Sequence, residues 1–323
     1  MKALVTGAGG FLGSRVVCAL LERGHAVRAV LRPSSSGAPA GWQGRAEIVR
    51  ADLRAPGPAP VLFDDVDVLV HLAAASRGSA EAQFANGVVG TEKLLDGMRR
   101  AGSTRRLVLA SSFSVYDWTA AGNRLNEDTP VERMPYERDA YAIAKIWQER
   151  VARRFAEENN WTLTVLRPGF IYGPGGPQVG GAGLSLGRVF LVIAPFSRLP
   201  LTHVENCAAA FADAAERGVA GTFNIVDDER ISAWRYAGRF LGDSRTTIRL
   251  PVPYALGLAA AHAAKIASRL LFPPNGGKLP GILIPRHYRA RFKPLRFDNL
   301  RAKQTLGWSC KALFASSAEG AVN

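Results

Sequence analysis

Two short runs carry side chains that can exchange protons. Tyr141-Ala142-Ile143-Ala144-Lys145 lies in a stretch of helical pattern, so positions i and i+4 share a face and a phenol and an ammonium can enter one pocket. An ammonium beside a phenol favours the phenolate and lowers the tyrosine pKa toward working pH, as proton transfer requires. Upstream, Ser111-Ser112-Phe113-Ser114-Val115-Tyr116 follows a strand-like run. A hydroxyl at the carboxyl end of such a strand sits where open α/β sheets bind ligands, so Ser112 can hold a substrate oxygen while Tyr141 exchanges its proton. A third run, Thr6-Gly7-Ala8-Gly9-Gly10-Phe11-Leu12-Gly13, joins a first strand to a first helix. Gly7 permits a tight turn, Gly10 lets backbone approach a pyrophosphate, and Gly13 lets helix pack on strand. Exposed N–H groups and the helix dipole at that end favour an anion.

The end of the second strand bears on which dinucleotide fits. Sites for NAD usually place a carboxylate there for the ribose 2′-hydroxyl. Here the run is Val30-Leu31-Arg32-Pro33-Ser34, with no carboxylate. Arg32 can meet a 2′-phosphate with its planar fork, which predicts NADP(H), with NAD as the alternative.

These groups need a scaffold. Apolar strand-like runs at Lys2–Thr6, Ala26–Leu31, Glu47–Arg50, Val66–Leu72, Arg106–Ala110, Thr162–Arg167 and Thr222–Val226 alternate with helical stretches, notably Gly13–Glu22, Ala82–Met98 and Tyr141–Glu158. That alternation predicts an α/β fold with a doubly wound parallel sheet covered on both faces. The glycine-rich segment Gly169–Gly187 reads as loops, and Tyr254–Leu271 as an amphipathic helix with a basic stripe of His262, Lys265 and Arg269. The chain has 323 residues, 47% hydrophobic and 21% charged, enough for a large core and unlike disordered or fibrous compositions. Its start reads as a buried strand rather than a signal peptide, and no apolar run is long enough to span a bilayer.

The net charge of +14 is unevenly placed: Lys plus Arg exceed Asp plus Glu by 26 to 24 over residues 1–230 and by 15 to 3 over residues 231–323. A basic last third suggests an anionic partner, either a phosphate-bearing substrate or a membrane surface, against the plain reading of a solvated basic face. No nucleic-acid module is recognisable, so nucleic acid is not expected. Cys18, Cys207 and Cys310 form neither a disulfide framework nor a metal set, and the five histidines are scattered, so no metal is expected and a reducing cytoplasm is the natural setting.

Taken together, the TGAGGFLG loop, Asp52-Leu53, His71-Leu72-Ala73-Ala74, Asn86, Gly90-Thr91, SSFSVY, YAIAK and Arg167–Pro174 resemble the extended short-chain dehydrogenase/reductases, also called the NAD-dependent epimerase/dehydratase family. His203-Val204-Glu205-Asn206 and the tail through Leu306-Gly307-Trp308 extend the resemblance over almost the whole chain. It implies a Rossmann-like domain of residues 1–168 plus 203–227 and a smaller C-terminal substrate lobe of 169–202 plus 228–323. It implies Tyr141 as general acid/base, Lys145 as its tuner and ribose ligand, and Ser112 at the family's Ser/Thr position. Backbone of Gly10, Phe11 and Leu12 would meet the pyrophosphate, Asp52 and Leu53 the adenine, Ala73 and Ala74 the groove, and Pro168 and Gly169 the nicotinamide. Homodimerisation through the helices near Glu81 and Tyr141 is a further implication.

Family sugar dehydratases carry Asp-Glu directly after the Ser/Thr, where this chain has Phe113 and Ser114, so dehydration is disfavoured. Two reactions stay open: an NADP(H)-dependent carbonyl reductase or alcohol dehydrogenase acting on a small molecule, and a nucleotide-sugar epimerase with retained NAD. A non-catalytic dinucleotide-binding protein is a third reading, against which the intact Tyr141–Lys145 pair speaks. The stretch Tyr254–Leu271 and the basic run Arg286–Lys293 admit a lid and wall for a phosphate-bearing substrate and a membrane-facing patch that takes a lipidic substrate from the bilayer, against the plain reading of ordinary packing with basic rim residues.

Overall fold

The computed structural model describes residues 1–35, 37–42, 44–55, 60–75, 78–176, 180–240, 248–272 and 279–315. Its strands are β1 (Lys2–Thr6), β2 (Ala26–Leu31), β3 (Glu47–Arg50), β4 (Val68–His71), β5 (Arg106–Ala110), β6 (Arg124–Leu125), β7 (Thr162–Pro168), β8 (Phe170–Tyr172), β9 (Gly183–Leu186), β10 (Val189–Ile193), β11 (Leu201–His203), β12 (Gly221–Ile225), β13 (Ile248–Val252) and β14 (Arg296–Phe297). The helices are α1 (Phe11–Glu22), α2 (Ala80–Phe84), α3 (Gly90–Ala101), α4 (Ala140–Asn159), α5 (Val204–Arg217), α6 (Ala233–Phe240), α7 (Tyr254–Leu271), α8 (Pro285–Phe292) and α9 (Leu300–Leu306).

Seven parallel strands form the central sheet in the order β12-β7-β5-β4-β1-β2-β3, the doubly wound, Rossmann-like arrangement. Period-two alternation divides its side chains between two cores. Ala3 and Val5 face Val16, Leu20 and Phe211 from α1 and α5. Leu4, Leu69 and Leu107 face Leu94, Leu95 and Met98 of α3 and Phe155 of α4. Both faces are therefore covered, which is why the strands read as unbroken apolar runs. The order reverses beside β1, between β1 and β4, and that switch point opens the crevice in which ligands of such sheets bind.

Two local readings need correction. The segment Gly169–Gly187 is not only loop: it contains β8, paired with β11, and β9, paired with β10. Some of its glycines serve close approach rather than turning. A Cβ on Gly183 would lie 1.9 Å from the Leu191 carbonyl oxygen across the β9–β10 pair, and one on Gly169 would lie 2.2 Å from that of Pro200. The single helix expected over Ala82–Met98 is three pieces, because a π-helical turn at Ala85–Val89 separates α2 from α3.

Beyond the sheet, β9, β10 and β13 make a small mixed sheet, with α7 and α8 packed together near it. Not all of the last third stays there. Ala302, Leu306 and Trp308 pack into the core beneath α1 and α5, and the Trp308 indole N–H donates to the Asn206 carbonyl at 2.9 Å.

Candidate functional site

A cleft of about 1110 Å³ runs along the carboxyl ends of the strands. The sequence-predicted residues Gly7, Gly10, Phe11, Leu12, Gly13, Arg32, Asp52, Leu53, Ala73, Ala74, Ser112, Tyr141, Lys145, Pro168 and Gly169 all line it. The structure thus brings these residues together from seven separated stretches of chain.

At the glycine loop, Gly7 has φ +69°, and a Cβ on Gly13 would meet the Gly7 carbonyl oxygen at 2.1 Å. The loop therefore closes tightly only without side chains. Gly10 is the N-cap of α1 and supplies no side-chain acceptor, and the first turn holds no acidic residue. The orphan N–H groups of that turn lie at the cleft wall, a fit for the pyrophosphate of a dinucleotide. At the far end of this half, Arg32 is exposed and makes no ion pair among the described residues. Asp52 is engaged by Arg54 at 2.7 Å, which holds its carboxyl down to about 2. Arg50 donates to the carbonyls of Arg32, Pro33 and Ser35 and so fixes the loop that presents Arg32.

Tyr141 and Lys145 lie one turn apart on α4, whose N-cap Asp139 accepts from the Ala142 amide at 3.0 Å. Ser112 follows β5, and its Oγ accepts from the Ser114 amide at 3.1 Å. The expectation that Lys145 lowers the Tyr141 pKa is not met in this state. Burial raises the phenol, offset in part by the Ser112 hydroxyl. The Lys145 ammonium instead donates to the Ala110 carbonyl at 2.6 Å and to Gln148 Oε1 at 2.8 Å. Burial lowers Lys145 to about 8, against the opposing charge of Glu149.

Beneath Lys145 lies a buried polar network that sequence reasoning reached only in part. Gln148 Nε2 donates to Thr91 Oγ1 at 2.9 Å, and Thr91 Oγ1 donates to the Gly87 carbonyl at 2.5 Å. His71 Nε2 lies 2.7 Å from Thr91 Oγ1, and Nδ1 lies 2.6 Å from Thr6 Oγ1. Thr91 spends its proton on Gly87, so His71 is consistent with the Nε2–H tautomer, accepting at Nδ1 from Thr6. Burial drives His71 down to about 3, which keeps it neutral. A second pair, Arg167 to Glu149 at 2.7 and 2.8 Å, ties α4 to β7 just before Pro168.

The other half of the cleft is mainly apolar. Phe113, Trp118, Phe170, Leu184, Ile282 and Phe292 wall it, with Asp139, His287 and Arg291 among the polar groups. Phe113 itself is buried against Tyr116 and Phe297. His287 and Phe292 belong to the basic run Arg286–Lys293 read as a substrate wall, and α8 carries them to the cleft, whereas the sequence held no signal for Ile282 in the turn Gly281–Leu283 before it. Arg198, near but not on the position of the diphosphate-binding arginine of related epimerases, lies outside the cleft lining and donates to the Asp227 carbonyl at 2.7 Å. No group of His, Cys, Asp and Glu suited to a metal ion occurs among the described residues.

Comparison with known proteins agrees with this geometry. The profile of the NAD dependent epimerase/dehydratase family matches residues 3–225. A 3β-hydroxysteroid-dehydrogenase/decarboxylase of Arabidopsis thaliana is 24% identical over 285 residues, 82% of this chain and 50% of that protein. The present chain thus spans about half the length of that relative. A 2-alkyl-3-oxoalkanoate reductase of Stenotrophomonas maltophilia is 32% identical over 219 residues, 65% of this chain and 64% of the other. Among solved structures, a UDP-glucuronic acid 4-epimerase from Bacillus cereus in complex with NAD superposes with a TM-score of 0.69 at 18% identity, covering 99% of this chain and 97% of that one, a likeness of fold.

Proposed function

The chain belongs to the NAD-dependent epimerase/dehydratase family, the extended branch of the NAD(P)-dependent short-chain dehydrogenase/reductases, and from that premise we propose that it is an NADP(H)-dependent oxidoreductase acting on an apolar ketone or the corresponding alcohol. The observation that carries the substrate class is the wall of Phe113, Trp118, Phe170, Leu184, Ile282 and Phe292 around the half of the cleft beyond Tyr141. A sugar diphosphate would need several cations there, and the arginines that line that half are Arg138 and Arg291. Arg198 lies outside the cleft lining and donates to the Asp227 carbonyl, and Arg138 is occupied by Glu132 and by the carbonyls of Ser114 and Tyr116. The reductase and steroid dehydrogenase relatives carry apolar substrates in their names, which supports the same reading.

The bound dinucleotide would supply or accept the hydride. Gly7, Gly10 and Gly13 with the first turn of α1 would hold its pyrophosphate, Arg32 its 2′-phosphate, and Pro168 and Gly169 its nicotinamide end. Ser112 and Tyr141 converge on the substrate oxygen, where Ser112 orients it and Tyr141 gives or takes the proton. Lys145, held by Ala110 and Gln148, would offer its remaining donor to a ribose. Phe113 and Ser114 hold no carboxyl, so the chain lacks the extra acid and base of the sugar dehydratases.

The test is NADPH oxidation with a panel of cyclic and long-chain ketones, alongside UDP-sugars. Turnover of ketones and none of UDP-sugars is expected. Tyr141→Phe should lower kcat by roughly 10²–10⁴-fold while coenzyme affinity stays within about twofold. Interconversion of UDP-sugars with no ketone reduction, or near-normal turnover in the phenylalanine variant, would refute the assignment.

A further inference from the structure

The second half of the chain exposes an apolar helix face that the proposed reaction does not use. α7 is apolar on two sides. Its inner side packs Tyr254, Leu258 and Ala261 toward Tyr288 and Phe292 of α8. A Cβ on Gly257 would lie 2.1 Å from the Tyr288 hydroxyl, so the two helices are in close contact. On the outer side, Leu256, Ala259, Ala263, Ile266 and Leu270 follow one another at alternating spacings of three and four, a continuous stripe. Leu256 is 63% exposed, Ile266 61%, Leu270 76% and Leu271 72%, and Phe272 just beyond the helix is 59% exposed. His262, Lys265 and Arg269 run along one flank of this stripe, all exposed.

Charge decides what covers the stripe. Residues 244–297 contain ten Lys and Arg and no Asp or Glu. A second copy packed through α7 would bring basic flank against basic flank with no carboxylate on either helix to pair them. An anionic bilayer surface offers the complement: acyl chains for the leucine and isoleucine stripe, and headgroup phosphates for Lys265 and Arg269, whose aliphatic stems can lie along the stripe while their charges reach outward. No helix among the described residues is long and apolar enough to cross a membrane, so the contact would be one of lying on the surface.

We propose that α7 is an interfacial helix that seats this protein on anionic lipid bilayers. The placement relates to the cleft. α7 packs on the turn Gly281–Leu283 and on α8, and Gly281, Ile282, Ala290 and Phe292 from those elements line the apolar half of the cleft. Seating α7 on a bilayer would bring that half beside the lipid phase, a position suited to a ligand dissolved in the membrane.

Vesicle flotation with the purified full chain tests this. Vesicles of phosphatidylcholine alone are compared with vesicles containing about a third phosphatidylserine, at low and high salt. Binding is expected to the anionic vesicles and to fall as salt is raised. Lys265→Glu with Arg269→Glu should weaken it by about 30-fold or more, from about one basic-residue increment each. Leu256→Ser, Ile266→Ser and Leu270→Ser together should abolish it. These positions are exposed, so unchanged thermal unfolding and coenzyme affinity in both variants would show that the fold is intact. The proposal is overturned if the wild-type chain stays unbound at low salt, if it binds both vesicle types equally and without salt dependence, or if it forms a dimer that the serine variant dissolves without any vesicle binding.

Discussion

Arg32 offers the sharpest test of the coenzyme reading. Its side chain stands at the end of β2 with no carboxylate partner among the described residues, on a loop whose carbonyls at Arg32, Pro33 and Ser35 are fixed by Arg50. The nearby acid Asp52 is already paired with Arg54, so a 2′-phosphate entering here would meet uncompensated positive charge. A hydrogen bond to a charged group contributes about 1.5–3 kcal/mol, and exposure of Arg32 argues for the lower half of that range because solvent screens it. At about 1.4 kcal/mol per decade, Arg32→Ala should raise KM for NADPH by roughly 10- to 30-fold. NADH, which lacks the phosphate, should change by less than about twofold. Initial rates with each coenzyme over a range of ionic strength give the ratio directly, and the wild-type preference should shrink as salt rises. Arg32→Asp, which restores an acid at this strand end, should turn the preference toward NADH. A wild-type preference for NADH, or equal loss with both coenzymes in Arg32→Ala, would refute the reasoning.

Other outcomes follow from the same geometry. Burial alone would raise the Glu149 carboxyl, but the two bonds and charge of Arg167 hold it below its ordinary value. A folded-state pKa depressed in this way stabilises the fold above the unfolded carboxyl value and ceases to do so as pH falls through the folded value. Glu149→Gln should therefore cost about 3–5 kcal/mol near neutrality, a fall in Tm of roughly 4–7 °C, and the gap to wild type should close in calorimetric scans as pH falls through the lowered folded-state value. Gln148→Leu removes an acceptor from a lysine that burial has already lowered to about 8. The upper limb of the pH profile of kcat/KM should then move down by about one unit, and a lower Tm with an unmoved profile would count against a positioning role for Gln148. Gly13→Ala forces a Cβ onto the Gly7 carbonyl at 2.1 Å, and calorimetric titration should find coenzyme binding weakened at least about tenfold.

Much of the scaffold could be read from residues alone because the strands are buried on both faces and announce themselves as apolar runs between glycine turns. The glycine loop, Ser112 and the Tyr141–Lys145 pair were equally readable, since their chemistry depends on spacing within a single element or beside one strand. Three features were not. The electrostatics of the pair depended on where Lys145 turns, and Ala110 and Gln148, rather than Tyr141, take its protons in this state. Gly183 resembled a loop residue because a glycine required by a carbonyl across a strand pair looks in sequence like a glycine required by a turn. Ile282 enters the cleft from the turn Gly281–Leu283 by long-range packing, for which no local pattern exists.

The π-turn at Ala85–Val89 sets a mechanical constraint on how this protein can change length. It contains Asn86, which lines the cleft, and is followed by Thr91, which accepts from the Gln148 amide and abuts His71. Inserting one more residue there, beyond the one the widened turn already absorbs, would rotate the preceding turn by about 100° relative to the following one. Asn86 and Thr91 could not then both keep their stations. The widened turn thus acts as a phase adjuster between two fixed appointments, and variants should accept substitutions of side chain at Val89 far more readily than insertions between Asn86 and Thr91.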